Sequence, residues 1–357
     1  MYNLQHFTLP MISLTNYKYK LKPILLASIF FFYTISHLLA QDKKWVFRTD
    51  KMGSPFTITI INDDSAHVAE MNQKCITIVD SLIHIISDYD STSELSKLNK
   101  NAGISSIKIS RFLEHILWVG KDASIQTKGA YTIAIGPLSV LWRKARKTNV
   151  FPSKEAILSA KKYIDCKDLV LDTLKHTAYL AHSSMRIDLG SLGKGYVAQF
   201  IVDYLRQNGF NNCMVDAGGK IVTSKPNNDP KYWVIGINLP RSEKNIFEQR
   251  LKFKNCAVAT SGDRFQFIEK DGVRYSHIID PHTGYGITTP KNVTAIASDG
   301  LVADWLSTAC SLLSIKEAKK LASQNHGEIL ISSIEGKKIN TYQTKGFDTY
   351  FKIQNNN

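Results

Sequence analysis

The sequence predicts an α+β fold in which mixed or antiparallel sheets are flanked by helices in one compact, two-lobed unit. The 357 residues are 43% hydrophobic and 21% charged, a balance typical of globular proteins. Strand-like and helix-like segments alternate without a strict βαβ rhythm. Many neighbouring strands are separated by hairpin-type turns such as "PNNDP" and "KDG". These features favour α+β over a doubly wound parallel sheet.

The first forty residues differ from the rest of the chain. Three lysines and no acidic residue precede the apolar run "PILLASIFFFYTISHLLA", and polar sequence begins at "QDKKW". This pattern predicts a signal peptide over residues 1–40, cleaved after Ala40. An uncleaved N-terminal membrane anchor is the alternative, because a run of about eighteen apolar residues is near the minimum that spans a bilayer. Both interpretations make the bulk of the chain an exported protein.

The spacing of apolar residues predicts the elements in order. A hairpin over 44–62, broken at "KMGSP", precedes an amphipathic helix over 65–87 and a loop with the sequence "SDYDSTSELSKLNK". Further helices are predicted over 110–126, 153–163, 192–208, 301–313 and 315–325. Strands are predicted over 168–181, 212–223, 231–238, 247–254, 257–260, 264–270, 273–279, 328–333, 337–343 and 346–353.

The chain is basic, with a formal net charge of +14 that falls to +11 when the three lysines of the leader are removed. Such a charge suits an anionic ligand or an acidic surface. The lysines are scattered through segments such as "SKLNK" and "EAKK", so a solvated surface accounts for most of them. Charge alone therefore gives no reason to predict nucleic-acid binding.

The segment "RIDLGSLGKGYVAQF" has the glycines of a phosphate-binding loop. It is not a Walker loop, because Gly195 follows Gly193 and Lys194 where that motif needs Ser or Thr, and its glycines also miss the GxGxxG spacing. What remains is the Asp188 carboxylate, a backbone that can approach a ligand closely, and a helix N-terminus that favours anions. Taken alone, the segment favours a tight strand-to-helix connection with Asp188 as an ordinary cap.

The segment "ADWLSTACSLL" predicts a helix on which Asp304 and Thr308 are four residues apart, and so lie one turn from each other at the edge of the apolar face. A carboxylate and a hydroxyl are ligands for a hard cation such as Mg²⁺. From this helix alone, a structural Asp near the N-terminus and a neutral Thr remain the favoured interpretation.

The segment "SHIIDPHTG" combines a histidine with a turn. Pro281 and Gly284 supply the turn chemistry, and His277 lies four residues before the proline, on a strand that ends there. A lone histidine is usually structural. His277 and His282 lack a third nitrogen or sulfur ligand at a recognisable spacing, so zinc is not predicted.

Together and in this order, the segments resemble the ApbE family, the FAD:protein FMN transferases, from about Met52 to Phe351. The motifs that carry the resemblance are "KMGSPFTI", "SDYDSTSELSKLN", "GAYTIAIGPLSVLW", "IDLGSLGKGYVAQ", "VDAGGKI", "ATSGDRF", "SHIIDPHTG" and "ADWLSTA". Each motif is weak alone, whereas eight in sequence are specific. The resemblance implies an ApbE-like, T-fold-related catalytic domain over residues 44–353.

The resemblance implies that FAD and Mg²⁺ bind, and that the FMN part of FAD moves onto a Ser or Thr hydroxyl of another protein with release of AMP. It places Asp188 and Lys194 near the FAD, and assigns the metal to the Ser191 carbonyl with Asp304 and Thr308. His277 matches the histidine implicated in transfer. The positions matched to flavin and adenine contacts are Met52, Tyr89, Ala130, Tyr131, Thr132 and Ile279.

The sequence also departs from the family pattern. Asp is common in the family at the positions of Thr132, Gln199 and Lys220, Thr at the position of Ala134, and Arg at that of His282. These changes remove up to three carboxylates near the expected site and put FAD affinity and acceptor choice in doubt. The Asp304 and Thr308 pair is unchanged, so activity is still expected.

Two other functions stay open at this point. A Mg²⁺-dependent FAD pyrophosphatase, which yields FMN and AMP, would differ only in accepting water in place of a protein hydroxyl. A non-catalytic FAD-binding protein of the envelope is the other alternative, although it would not need a metal at the phosphorus. The expected partner of a transferase is an envelope redox protein that carries a Ser/Thr flavinylation motif. The expected location is the bacterial periplasm or the outer face of the inner membrane.

Overall fold

The computed structural model describes residues 43–224, 232–240, 246–262, 266–335 and 338–351. Its strands are β1 (Lys43–Lys51), β2 (Ser54–Asn62), β3 (Ile107–Lys108), β4 (Leu169–Asp172), β5 (Thr177–Leu180), β6 (Cys213–Ala217), β7 (Lys220–Thr223), β8 (Trp233–Pro240), β9 (Ile246–Phe253), β10 (Ala257–Gly262), β11 (Phe267–Lys270), β12 (Val273–Ser276), β13 (Lys291–Ala297), β14 (Glu328–Glu335) and β15 (Lys338–Gln343). The α-helices are α1 (Ser65–Ile86), α2 (Glu94–Lys100), α3 (Arg111–Gln126), α4 (Gly136–Thr148), α5 (Lys154–Ala160), α6 (Gly193–Gln207), α7 (Gly300–Leu312) and α8 (Ile315–Gln324).

Eight strands form the central sheet in the order β1-β2-β6-β7-β10-β13-β14-β15. Neighbouring strands from β2 to β15 pair antiparallel. Smaller sheets are formed by β3-β5-β4, by β8-β9 and by β11-β12. The predicted α+β class with antiparallel sheets flanked by helices is confirmed.

The middle strands of the central sheet contribute to two cores, one on each face, since successive side chains of a strand point to opposite sides. On β10, Ala257 and Ala259 join the main core, which also contains the apolar faces of α1, α6 and α7. Val258 between them joins a second core with Ile296 and the apolar side chains of β8 and β9. The sheet therefore supports the helices on one side and the β8-β9 ribbon on the other.

The opening hairpin turns at Met52 and Gly53, which have φ angles of 52° and 67°. Two central residues with positive φ are typical of the type I′ turn, whose twist matches that of paired strands. Glycine adopts this conformation freely, whereas a left-handed methionine is uncommon. The predicted break at "KMGSP" is confirmed, and it presents Met52 at the end of the hairpin.

The spacing of apolar residues predicted helices α1, α3, α6, α7 and α8 to within a few residues. The buried residues of α1 are Val68, Met71, Cys75, Val79, Leu82 and Ile86. The Asp64 side chain begins this helix by accepting a hydrogen bond from the His67 N–H. Helix α7 is buried on almost every side, because it packs between the sheet and its neighbouring helices.

Some predicted boundaries are wrong. The predicted strand over 168–181 is two strands, β4 and β5, and that over 212–223 is split into β6 and β7 by Gly218 and Gly219. Both glycines have positive φ, so they form a turn that a period-two pattern does not reveal. The strand predicted over 346–353 is wrong as well. Residues Lys345–Tyr350 form a 3₁₀ helix that buries Phe347; residues 352 and 353 lie outside the described part.

Four of these strands and α-helices were missed: α2, α4, β13 and the two-residue strand β3. Helix α2 lies in the segment that was predicted as a loop, where Ser93 caps it by accepting a hydrogen bond from the Ser96 N–H. Strand β13 and helix α4 were not predicted either. The start of α4 carries a recognisable signal, because Pro137 occupies the first turn directly after Gly136. The helix is rich in basic residues, so its sequence did not reveal the apolar face formed by Leu138, Trp142 and Ala145.

Residues Lys44–Asn357 form one compact unit. The predicted signal peptide or anchor over residues 1–40 lies outside the described residues and stays a prediction. Among the residues that are described, no helix is both long and apolar enough to cross a membrane.

Candidate active site

A cleft of about 730 Å³ collects most of the residues that the sequence singled out. Its walls come from the β1-β2 turn, the end of α1, helix α4, the loop before α6, and α7. Eleven of the twelve predicted site residues line it: Met52, Tyr89, Tyr131, Thr132, Asp188, Ser191, Lys194, His277, Ile279, Asp304 and Thr308. Ala130 is the exception; it is buried beside Tyr131 and is not part of the lining.

Two glycines bring the starts of α6 and α7 together at the floor of this cleft. A Cβ on Gly195 would lie 2.1 Å from the carbonyl oxygen of Gly300, and one on Gly300 would lie 2.5 Å from that of Gly195. No other residue allows helices to approach so closely. Taken alone, the sequence of this loop favoured a tight strand-to-helix connection over a ligand-binding role. Gly195 serves the packing of α6 against α7, which explains why glycine, and not Ser or Thr, follows Lys194.

The glycine contact places the Asp304 carboxylate under the start of α6. Asp304 is fully buried, rather than at the edge of an apolar face as the sequence predicted. Its Oδ2 accepts a hydrogen bond of 2.8 Å from the Gly195 N–H. Its Oδ1 has no hydrogen-bond partner among the described residues. Burial raises the pKa of Asp304, while the nearby Lys220 ammonium and the Gly195 N–H oppose that rise.

The oxygen atoms around Asp304 fit a hard cation. Thr308 lies one turn further along α7, and Ser191 precedes α6; both line the same cleft. The Ser191 hydroxyl is 2.8 Å from the Tyr131 hydroxyl, which leaves its backbone carbonyl as the expected ligand. A buried carboxylate oxygen that accepts no hydrogen bond from the described residues, in a cleft that also has hydroxyl and carbonyl oxygens in its lining, offers the oxygen ligands that Mg²⁺ prefers. The residues that the sequence assigned to a metal therefore suit one chemically.

Asp188 takes part in a charge network that the sequence did not reveal. Its Oδ1 accepts a hydrogen bond from the Gly190 N–H, so it does cap the loop locally. Its Oδ2 lies 2.6 Å from a guanidinium nitrogen of Arg143, whose other nitrogen lies 2.5 Å from Asp88. The Arg143 guanidinium also stacks over the Tyr89 ring at 4.3 Å. Arg143 thus links two carboxylates and the exposed tyrosine at the cleft wall.

Burial and the neighbouring Asp188 charge raise the pKa of Asp88, and Arg143 opposes this rise. Asp88 and Arg143 were both missed. Arg143 was missed together with its helix, α4, and the only sequence signal would have been the spacing of Ser139, Arg143 and Arg146, which puts the three on one face.

The cleft also holds cations that lack a full counter-charge. The Arg146 Nη1 is buried and has no hydrogen-bond partner in the part of the chain that the structure describes. Burial and the charge of Arg143 lower the pKa of Arg146. Burial and the charge of Lys220 lower the pKa of Lys194 in the same way. A pocket whose cations destabilise one another binds an anionic ligand favourably.

His277 is held through one ring nitrogen, Nδ1, and no described residue hydrogen-bonds to the other. It follows β12 directly instead of lying on a strand, and its backbone N–H donates to the Gln266 carbonyl. The ring Nδ1 is 3.2 Å from that same carbonyl, so Nδ1 carries the proton and Nε2 keeps its lone pair. Burial, with the positive charges of Arg146, Lys220 and Lys194, lowers the pKa of His277 to about 4. The imidazole is neutral at pH 7 and can accept a proton.

The turn after His277 is fixed to α4. The Trp142 indole N–H donates to the Gly284 carbonyl at 2.8 Å, and Ile279 packs into the same small core as Trp142. Ile279 also forms an isolated antiparallel bridge with Gly286. This packing positions the backbone of Ile279 along the cleft.

The sequence model of the ApbE family matches residues 52–331. The chain belongs to the ApbE family. A curated relative, the FAD:protein FMN transferase of Escherichia coli K12, is 26% identical over 310 residues, which cover 85% of this chain and 88% of the relative. The FAD:protein FMN transferase of Haemophilus influenzae is 28% identical over 284 residues, 77% of this chain and 82% of the relative. The predicted class of enzyme, a transferase, is confirmed.

Solved structures of the ApbE family have the same fold. The flavin transferase ApbE from Vibrio cholerae superposes with a TM-score of 0.78 at 25% identity, covering 87% of this chain and 99% of that one. The apo flavinyl transferase ApbE from Pseudomonas stutzeri gives a TM-score of 0.77 at 27% identity, covering 88% of this chain and 98% of that one. The predicted ApbE-like architecture is confirmed.

The positions at which this ApbE-family chain departs from the expected pattern have structural roles here. The Thr132 hydroxyl donates to the Ile164 carbonyl and accepts from the Ala134 N–H. The Gln199 Oε1 accepts from the Gly300 N–H at 2.9 Å and thereby supports the start of α7. The described contacts of His282 are through its backbone, at the turn. Lys220 alone faces the predicted metal ligand, 3.4 Å from Asp304 Oδ1.

Proposed function

We propose that this protein is a FAD:protein FMN transferase, which moves the FMN part of FAD onto a Ser or Thr hydroxyl of an acceptor protein and releases AMP. The observation that carries the proposal is the buried Asp304 Oδ1, which accepts no hydrogen bond from the described residues and has only the Lys220 ammonium, at 3.4 Å, as its ion-pair partner among them. It lies in a cation-lined cleft that also holds the neutral His277. Family membership supports this reaction, and the described residues include groups suited to each of its steps.

The cleft suits a dinucleotide. Its volume of about 730 Å³ lies within the range of roughly 300–1,000 Å³ that is usual for small-molecule sites. The exposed Tyr89 ring and the Met52 side chain both line the cleft and offer apolar surface for planar rings. Lys194 and Arg146 offer positive charge for the pyrophosphate, because neither has a complete counter-charge in the described structure.

Asp304, Thr308 and the Ser191 carbonyl would hold Mg²⁺. When bound, the cation neutralises charge on the phosphoryl oxygens. The protein's part is to exclude water from the Asp304 side of the cleft and to keep the carboxylate in place through the Gly195 N–H.

His277 would take the proton of the acceptor hydroxyl on Nε2. The acceptor oxygen then forms a bond to the phosphorus on the FMN side, and the bond from that phosphorus to the oxygen of the AMP part breaks. The pair of electrons of that bond leaves with AMP, whose negative charge Lys194 and Arg146 would stabilise. The Gln266 carbonyl stabilises the imidazolium that forms, because it accepts from Nδ1.

The proposed location is the periplasm or the outer face of the inner membrane, and the proposed acceptor is an envelope redox protein with a Ser/Thr flavinylation motif. Both follow from the predicted leader over residues 1–40. Membrane attachment through that leader is the alternative to its cleavage.

The test is to incubate the purified protein with FAD, Mg²⁺ and candidate acceptors, and to measure AMP release together with the mass of the acceptor. We expect an added FMN mass with Mg²⁺, none with EDTA and none with Asp304→Asn. Asp299→Asn is the matched control on the same helix, because Asn caps a helix as well as Asp. FAD binding without AMP release in Mg²⁺ contradicts the proposal, and AMP release without acceptor labelling identifies a pyrophosphatase instead.

A further inference from the structure

Lys220 occupies an unusual place beside the proposed metal ligand. It begins β7, immediately after the turn at Gly218 and Gly219, and its side chain reaches across to α7. The side chain is 13% exposed, against 1% for that of Asp304. The ammonium donates to the Thr260 carbonyl at 2.5 Å and lies 3.4 Å from Asp304 Oδ1. A charged group this deeply placed needs a partner of opposite sign.

The two oxygens of Asp304 are in different situations. Oδ2 accepts the Gly195 N–H at 2.8 Å, whereas Oδ1 has no hydrogen-bond donor among the described residues. The cation nearest to Oδ1 in the described structure is the Lys220 ammonium. Because a buried carboxylate without compensation is strongly unfavourable, Lys220 stabilises the metal-free protein.

The same oxygen is the one that a divalent cation would take. Mg²⁺ bound at Oδ1 would lie a few ångströms from the Lys220 ammonium, and the two positive charges would repel each other strongly because the site is shielded from water. The two cations cannot bind this oxygen at the same time, so the Lys220 ammonium must move away from Oδ1 when Mg²⁺ binds. The Lys220 ammonium already donates to the Thr260 carbonyl, a partner that it can keep when it moves away from Oδ1.

We propose that Lys220 is a built-in counter-ion that competes with the divalent cation for Asp304, so that it weakens metal binding and supports the fold when the metal is absent. This inference rests on the proposed metal site. It makes Lys220 a residue that sets metal affinity, not one that takes part in the transfer.

Calorimetric titration of the purified protein with MgCl₂, without FAD, tests this directly. We expect Lys220→Met to bind Mg²⁺ roughly tenfold more tightly than the wild type, and Lys220→Arg, which keeps the charge, to bind within a few-fold of it. Lys121→Met is the matched control, because the Lys121 ammonium also donates to a backbone carbonyl, that of Leu169, away from the cleft.

Thermal unfolding provides the second measurement. In EDTA, Lys220→Met should unfold at a lower temperature than the wild type, and saturating Mg²⁺ should raise its Tm by more than it raises that of the wild type. If Lys220→Met and the wild type bind Mg²⁺ equally and gain equally in Tm, the inference about Lys220 is wrong and the metal site stands. If neither binds Mg²⁺, the proposed metal site fails together with it.

Discussion

Gly195 and Gly300 touch backbone to backbone, and this contact places the Asp304 carboxylate under the N–H of Gly195. The first turn of α6 and the first turn of α7 are joined there without any side chain between them. The geometry of the proposed metal site therefore depends on two residues that carry no functional group.

Gly195→Ala should disrupt this contact. The added Cβ would lie 2.1 Å from a backbone oxygen, so the two helices must separate, at a cost of about 1–3 kcal/mol in the free energy of unfolding. Denaturant unfolding in EDTA measures it. Gly193→Ala is the control, because its Cβ would meet only the end of the Ile86 side chain at 3.0 Å. Equal stability of the two variants would show that the glycine contact is not needed.

Arg143→Met should leave two carboxylates facing each other. The free energy of unfolding should fall by about 2 kcal/mol at pH 7, less than for a fully buried pair because Arg143 is partly exposed. Adding Asp88→Asn should restore much of the loss, whereas Asp80→Asn, an exposed site, should restore nothing. A double variant no more stable than Arg143→Met would contradict the proposed network.

The loss in Arg143→Met should also depend on pH. The pKa of Asp88 is raised in the folded protein, so the folded state holds this proton more tightly than the unfolded chain. Its contribution is present at low pH and is lost as the pH rises above the ordinary value of about 4. Removal of Arg143 raises that pKa further, so unfolding curves should separate more at pH 7 than at pH 4.

His277→Ala should lower kcat about 10²–10⁴-fold, with little change in FAD affinity. Because the pKa of His277 is lowered to about 4, the ring is neutral above that pH, and wild-type kcat/KM should be flat from pH 6 to 8 and fall only as the pH approaches 4. His282→Ala, five residues along the same turn, is the control. Transfer at the wild-type rate by His277→Ala across pH 6 to 8 would refute this role.

Arg146→Met should weaken the binding of FAD without lowering the thermal stability of the protein. The buried Nη1 lacks a hydrogen-bond partner among the described residues, so its removal should leave Tm unchanged or slightly raised. FAD affinity should fall about tenfold, as expected when one charge-assisted contact to a phosphate is lost. Lys147→Met, at an exposed neighbouring position, should change neither quantity. Unchanged FAD affinity in Arg146→Met would exclude this arginine from the site.

The features that the sequence predicted best are helix faces and turns, which depend on residues close together in the chain. The apolar face of α1 follows from the spacing of Met71, Cys75 and Val79, and the one-turn spacing of Asp304 and Thr308 follows from helix geometry. The turn at Met52 was found because glycine and proline mark it. Eleven of the twelve predicted site residues line the cleft, because family motifs had already joined segments that are distant in the chain.

What the sequence did not reveal are contacts between distant segments. Arg143 binds carboxylates 55 and 45 residues away, and Lys220 lies beside an aspartate on another element. No period or spacing encodes such a pair, because it depends on how the sheet orders its strands. The burial of Asp304 was underestimated for the same reason, since its cover comes from the start of α6.

The hydrogen bond from Trp142 to Gly284 unites the helix bearing both arginines with the turn that follows the histidine. The groups proposed for phosphate recognition and for proton removal thereby belong to one rigid wall of the cleft, whose spacing is set before any acceptor binds. If the proposed function holds, we expect the choice of acceptor protein to depend on surfaces outside this wall, so that a new acceptor could be adopted without a change in the groups proposed for catalysis.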